Sequence, residues 1–267
     1  MEPSGHNIVI QRLSLLLLLF FSATCAPASA PPPAQTITVM AAASLSGAFT
    51  EIGAAFEQQQ PGAEVIFNFA GSQQLAQQLA QGAPADVFAS ANARQMEVAV
   101  ENGRVAPGTS RIFAQNRLVI IVPRDNPAAL SVWQDLAKPG ATLVFAAREV
   151  PAGQYSLEFL DRAGIAFSEA ARGNIVSYED NVRAVLAKVS LGEADAGVVY
   201  TSDVSGSAAE QVQRIPIPDA LNPTASYPIA AIQDSPQPGL ARAFVDFVLS
   251  QPGQKILAKH GFLPAEE

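Results

Sequence analysis

Four places along the chain set small or hydroxyl-bearing residues where a strand pattern gives way to a helix pattern. They are Ala43-Ser44-Leu45-Ser46, Ala70-Gly71-Ser72-Gln73, Val150-Pro151-Ala152-Gly153 and Glu179-Asp180-Asn181-Val182. The start of a helix presents backbone N–H groups that have no acceptor within the helix, together with about half a unit of positive charge. Glycine and alanine let a ligand approach that backbone closely. Several such helix starts facing one space would hold an anion without any lysine or arginine. Taken singly, each junction also reads as a plain helix cap, because Ser, Asp and Asn are favoured N-caps. Their joint occurrence, two in each half of the chain, is what points to a site. Tyr200 ends a further strand pattern before Thr201-Ser202-Asp203. Its phenol can donate to a bound oxyanion, or its ring can simply fill the core with the hydroxyl at the surface.

Catalytic readings lack parts. Ser44 or Ser72 as a nucleophile would need a base. Past residue 30 the only histidine is His260, beside Gly261 at the end of a helical pattern, where a histidine suits the helix dipole. Glu179 and Asp180 at a helix start are favourable dipole partners rather than an acid–base pair. There is no G-x-x-x-x-G-K-[ST] loop and no glycine-rich dinucleotide fingerprint. Two histidines and one cysteine are too few for a His/Cys zinc site. With 16 Lys+Arg against 24 Asp+Glu, the net charge of −8 argues against a nucleic-acid partner. The expectation is a binding protein, not an enzyme, with no cofactor.

The elements that must position these junctions alternate between strand and helix. Residues 37–40 read as a strand, and Leu45, Phe49, Ile52 and Phe56 follow at helical spacing. Val65, Phe67 and Phe69 alternate as a strand does, and Leu75 and Leu79 mark the next helix. Residues 86–89 are a short strand and 96–100 helical; 118–122 form a β-branched run stopped by Pro123. The second half repeats the theme with strands at 143–145, 175–176, 197–200 and 228–232. The helices between them carry Tyr155 and Phe159, then Val182, Val185, Leu186 and Val189. Two terminal helices follow, the second with Pro252 in its first turn. Such alternation implies parallel-rich sheets covered by helices on both faces. Two blocks suggest two lobes: residues 31–118 with 229–267, and residues 119–228. The chain would cross near 118–123 and return near 227–232, and two crossings make a hinge with a ligand cleft between the lobes.

Residues 1–30 read as a signal peptide: Arg12, an apolar stretch over 13–21, then a small-residue region. Ala28-Ser29-Ala30 fits the A-x-A cleavage rule, and Cys25 offers the alternative of a lipid anchor. The mature chain then holds no cysteine, hence no disulfide, although it is exported. Pro31-Pro32-Pro33 is a short extended spacer.

Five segments occur in the order and spacing of a known family: Ala41-Ala42-Ala43-Ser44-Leu45, the stretch Gly82-Ala83-Pro84-Ala85-Asp86-Val87-Phe88-Ala89-Ser90-Ala91, Val150-Pro151-Ala152-Gly153-Gln154-Tyr155, Asn181-Val182-Arg183-Ala184-Val185-Leu186, and Gly197-Val198-Val199-Tyr200-Thr201-Ser202-Asp203. The chain resembles the substrate-binding proteins of bacterial molybdate ABC transporters, the ModA family, from residue 36 to about 263. The resemblance implies a type II periplasmic-binding-protein fold, two α/β lobes joined by a two-strand hinge. It implies a monomer in the periplasm that carries molybdate, and tungstate, to an inner-membrane molybdate ABC permease. Carried over position by position, the oxyanion ligands are Ser44 and Ser72, the backbone N–H groups of Ala152 and Val182, and the phenol of Tyr200; molybdenum is bound only as molybdate. The sequence departs from the family at Gln73 and Gln74, where relatives often show Ser or Gly, and the role of those two side chains stays open.

A donor-only set suits a fully deprotonated dianion and disfavours phosphate, which keeps protons at neutral pH and wants an acceptor. Sulfate, phosphate or ferric ion remain alternatives, as does an exported serine hydrolase. Ferric capture would draw on Tyr155, Tyr178, Tyr200 and Tyr227. None of the implied ligand groups titrates between about pH 6 and 8.5, so affinity is expected to be flat across that range.

Overall fold

The computed structural model describes residues 35–265. The leader, Cys25 and the Pro31-Pro32-Pro33 spacer lie outside the described residues. Strand β1 (Gln35–Ala42) runs into a single 3-10 turn at Ala43–Leu45 and then helix α1 (Ser46–Gln59). Leu45, Phe49, Ile52 and Phe56 face inward and are at most 1% exposed, as their spacing of three and four requires. Next come β2 (Ala63–Ala70), α2 (Ser72–Ala80), β3 (Val87–Ala89) and α3 (Ala93–Glu101). Strand β1 pairs in parallel with both β2 and β3.

Strand β4 (Arg111–Pro123) belongs to two sheets. Its first part pairs with β9 (Thr224–Ala231), and residues from Leu118 on pair with β7 (Ala196–Tyr200) and β8 (Val212–Ile215). The second sheet is completed by β5 (Leu143–Ala146) and β6 (Ile175–Glu179), giving the strand order β2-β1-β3-β9-β4-β7-β5-β6 with β8 beside β4. Helices α4 (Pro151–Arg162) and α6 (Val182–Ser190) pack on the second sheet, and α5 (Ile165–Gly173) packs on α4. The chain ends with α7 (Pro238–Leu249) on the first sheet and α8 (Gln251–Lys259) against α1.

The α/β, two-lobed architecture is as expected, but the sheets are mixed rather than parallel-rich. Parallel pairing is confined to the βαβ units around β1 and β5. Strands β3 with β9, and β4 with β7, β8 and β9, are antiparallel. The reason is topological: β4 leads out of the first sheet and β9 leads back, so the two lie side by side in opposite directions. Three elements have no counterpart in the sequence pattern: β8, α5 and the first half of β4.

Each lobe has its own aromatic cluster. Phe49, Phe56, Phe113 and Phe244 interlock edge-to-face or tilted beside the first sheet, and Trp133 contacts Phe159 and Phe167 beside the second. Among the described residues no helix is long and apolar enough to cross a membrane.

Candidate functional site

The predicted junctions converge. Ala42 and Ala43 at the end of β1, Gly71 and Ser72 at the start of α2, Val150 to Ala152 at the start of α4, Asn181 and Val182 at the start of α6, and Tyr200 at the end of β7 line one narrow cavity. Every contributing strand presents its carboxyl end, the edge at which open α/β sheets bind ligands. No lining residue carries a charged side chain. Among the described residues no group of three or more His, Cys, Asp or Glu is placed to hold a metal ion.

The local sequence explains the helix starts. Pro151 occupies the first turn of α4, where it gives up no hydrogen bond. The side chain of Asn181 caps α6 by accepting from Ala184 N at 3.1 Å. That cap leaves the first-turn N–H groups of Val182 and Arg183 without an acceptor in the helix. At α2 it is Gln74 that caps, its Oε1 accepting from Gly71 N at 3.3 Å.

Two hydroxyls are poised as donors. Ser72 is 1% exposed, and its Oγ accepts from Ala91 N at 3.0 Å, which leaves the hydroxyl hydrogen free to donate. Tyr200 is also 1% exposed, and its phenol oxygen is buried with no hydrogen-bond partner. An unpartnered buried hydroxyl costs on the order of 1–3 kcal/mol, so its place beside the cavity points to a ligand atom. Burial raises the Tyr200 phenol well above its ordinary value, so it stays protonated and able to donate.

Of the five predicted ligands, Ser72, Ala152, Val182 and Tyr200 line the cavity. Ser44 is buried next to the lining residue Ala43, and its hydroxyl lies 3.0 Å from the phenol of Tyr227. Tyr227 is fully buried, with its ring 5.8 Å from that of Tyr200, centroid to centroid. The sequence reading missed this neighbour because 183 residues separate Ser44 from it. Asn116 was missed for the same reason. It is fully buried and ties β4 to the turn after β7, through Ser202 Oγ at 2.7 Å and Thr201 Oγ1 at 2.8 Å.

Asp203 was read only as part of a cap, and the structure gives it a larger part. It is 1% exposed; one carboxylate oxygen accepts from Tyr200 N at 3.0 Å and the other is buried without a partner. Burial pushes its carboxyl up to about 7, although Arg183 nearby and the Tyr200 N–H favour the ionised form. A titrating group therefore sits directly behind Tyr200, outside the set of ligand groups expected not to titrate. The folded protein holds this proton more tightly than the unfolded chain does. The stabilising effect is complete below the unfolded value near 4 and is lost as pH rises through about 7. Between pH 5 and 8 that amounts to about 2–3 kcal/mol. Asp203→Asn keeps a carbonyl for Tyr200 N–H and carries no charge. Urea unfolding at pH 5 and 8 should show this loss in the parent protein and not in the variant. Equal losses in both would mean that Asp203 is ionised throughout.

Residues 37–263 match the model of the family described as bacterial extracellular solute-binding protein. The molybdate-binding protein ModA of Mycobacterium tuberculosis is 43% identical over 229 residues, 86% of this chain and 85% of that protein. Among solved structures, a periplasmic molybdate-binding protein of Azotobacter vinelandii superposes with a TM-score of 0.76 at 19% identity, over 86% of this chain and all of that one. The sulfate-binding protein SubI of Mycobacterium tuberculosis superposes with a TM-score of 0.78 at 22% identity, over 87% of this chain and 88% of that one. At those identities the two structures speak for the fold alone, whereas the family match and the 43% relative identify the lineage. The chain belongs to the bacterial extracellular solute-binding proteins and, within them, to the ModA family.

Proposed function

We propose that this protein captures molybdate, and tungstate with it, in the cavity between its two sheets and delivers it to an inner-membrane ABC permease. The observation that carries the reading is a cavity whose polar groups are neutral donors: Ser72, the Tyr200 phenol, and the N–H groups at the starts of α4 and α6. Such a site suits a fully deprotonated tetrahedral dianion. Ser44 joins the set by turning its hydroxyl from Tyr227 toward the anion. The name of the mycobacterial relative and the family description support this choice of ligand and an extracytoplasmic location. The protein acts as a monomer that needs no cofactor and catalyses no reaction.

The competing readings fit less well. A serine hydrolase needs a base beside Ser44 or Ser72, yet no His, Asp or Glu lines the cavity. His260 is instead bonded to Glu51 at 2.9 Å, where α8 meets α1. Ferric ion prefers phenolates, but burial holds both Tyr200 and Tyr227 protonated well past their ordinary range. Tyr178 is 52% exposed.

A thermal-shift series with molybdate, tungstate, sulfate, phosphate and chromate tests the proposal. A ligand at a hundred times its Kd adds about 2.7 kcal/mol, or about 5–10 °C in Tm for a protein of this size. Molybdate and tungstate should reach that shift at micromolar concentration, while sulfate and phosphate should not. A shift with sulfate alone would reassign the ligand.

A further inference from the structure

Two glutamines, Gln73 and Gln74, directly follow the cavity residue Ser72, and the structure gives them different work. Gln74 turns back on its own helix to cap Gly71. Gln73 reaches across the cleft: its Nε2 donates to the carbonyl of Asp180 at 2.9 Å. The orientation of the amide is settled by its partner, since a carbonyl oxygen can only accept. Asp180 directly precedes Asn181, the cap of α6, so this bond grips the chain where it enters the helix that lines the cavity. The backbones come close enough here that only glycine fits at 71. A Cβ on Gly71 would lie 2.5 Å from Asp180 O and 2.5 Å from the Gln73 amide. A second bridge runs parallel, from Asn92 Nδ2 to Gln154 Oε1 at 3.0 Å, joining the cap of α3 to the first turns of α4. Asn92 is committed to this orientation because its Oδ1 accepts from Gln95 N.

We propose that Gln73 is a positioning residue for anion capture, holding the Asp180 carbonyl so that the N-terminus of α6, with Asn181 and Val182, stays against the cavity. The proposal rests on the oxyanion reading of the same site. Gln73 touches no ligand in this scheme; it keeps the donors of one lobe facing those of the other. Losing it should therefore speed ligand release and leave association little changed, since the helix starts of each lobe keep their own donors for the first encounter.

The test uses the mature chain with molybdate as probe. Gln73→Ala should weaken binding about 3- to 10-fold, the range of a single neutral hydrogen bond, almost wholly through faster dissociation. Gln73→Glu, which offers no donor at pH 8, should lose at least as much. Amide hydrogen exchange at Ala184, whose N–H is held by the Asn181 cap, measured with no anion added, should be several-fold faster in Gln73→Ala than in the parent. A merely local role for Gln73 in α2 would leave that amide unchanged. Unchanged exchange, or an unchanged dissociation rate in a parent protein that binds molybdate, overturns the proposal. A parent protein that fails to bind molybdate, yet shows the exchange effect, would overturn the ligand assignment and leave the positioning role standing.

Discussion

Ser72→Asp is expected to abolish oxyanion binding, and Tyr200→Phe to separate binding from stability. Ser72 Oγ already accepts from Ala91 N, so its remaining capacity is to donate into the cavity. A carboxylate there would face the dianion instead. At an effective dielectric of about 20, one charge about 4 Å from a dianion is repelled by about 8 kcal/mol, enough for a loss well beyond a thousandfold. Because Ser72 is buried, the Asp variant can also lose fold stability, and Tyr200→Phe serves as the companion. It keeps the ring and removes a buried hydroxyl that has no protein partner. The free protein should be as stable as the parent or gain about 1 kcal/mol. Affinity should fall about ten- to a hundredfold, the worth of a hydrogen bond to a charged group. Titration calorimetry with molybdate and unfolding of the free protein read the two effects separately. A Phe variant that loses stability and keeps its affinity would place the Tyr200 hydroxyl in the core and not in the site.

Gly153→Ala should be among the most damaging single-methyl changes in the molecule. A Cβ at this position in the first turn of α4 would lie 2.0 Å from the carbonyl oxygen of Ala147 and 2.4 Å from that of Ala146. Both obstacles are backbone, at the end of β5, and neither can rotate away as a side chain would. The start of α4 must lift off the sheet, taking the neighbouring Ala152 N–H with it. Overpacking of this kind costs about 1–3 kcal/mol and sometimes more. With backbone on both sides the upper end is expected, a fall of about 6–12 °C in Tm together with weaker molybdate binding. Gly239→Ala is the matched control. It lies in the first turn of α7 with nothing within 4 Å of its Cβ position, so it should be neutral or gain up to about 1 kcal/mol. Equal behaviour of the two variants would show that α4 can shift without cost.

Much of the site was legible in the chain because its parts are local. A strand followed by Ser-, Pro- or Asn-led helix spacing marks a helix start, and a helix start donates hydrogen bonds wherever it is placed. The junctions that hold Ser72, Ala152 and Val182 are legible on that basis, while their assignment as ligands, with Tyr200, is what the family resemblance implies. The fold class was legible for the same reason, since α1 and α6 announce themselves by apolar residues three and four apart. Elements without that signal were lost. In α5, Ile165 is 79% exposed, and β8 alternates buried ends with exposed middle residues over only four positions.

The sequence by itself determined the chemistry on offer: neutral donors at helix starts and hydroxyls, with no charged residue among the predicted ligands. Tertiary structure decided what each donor faces and which groups are shut away from water. It set Tyr227 beside Ser44 across 183 residues and joined Gln73 to Asp180 across 107. It also buried Asp203 so completely that its carboxyl titrates near 7. The physical reason is common to all three. Hydrogen-bond partners and desolvation depend on what packs around a group, and those neighbours come from segments far away along the chain.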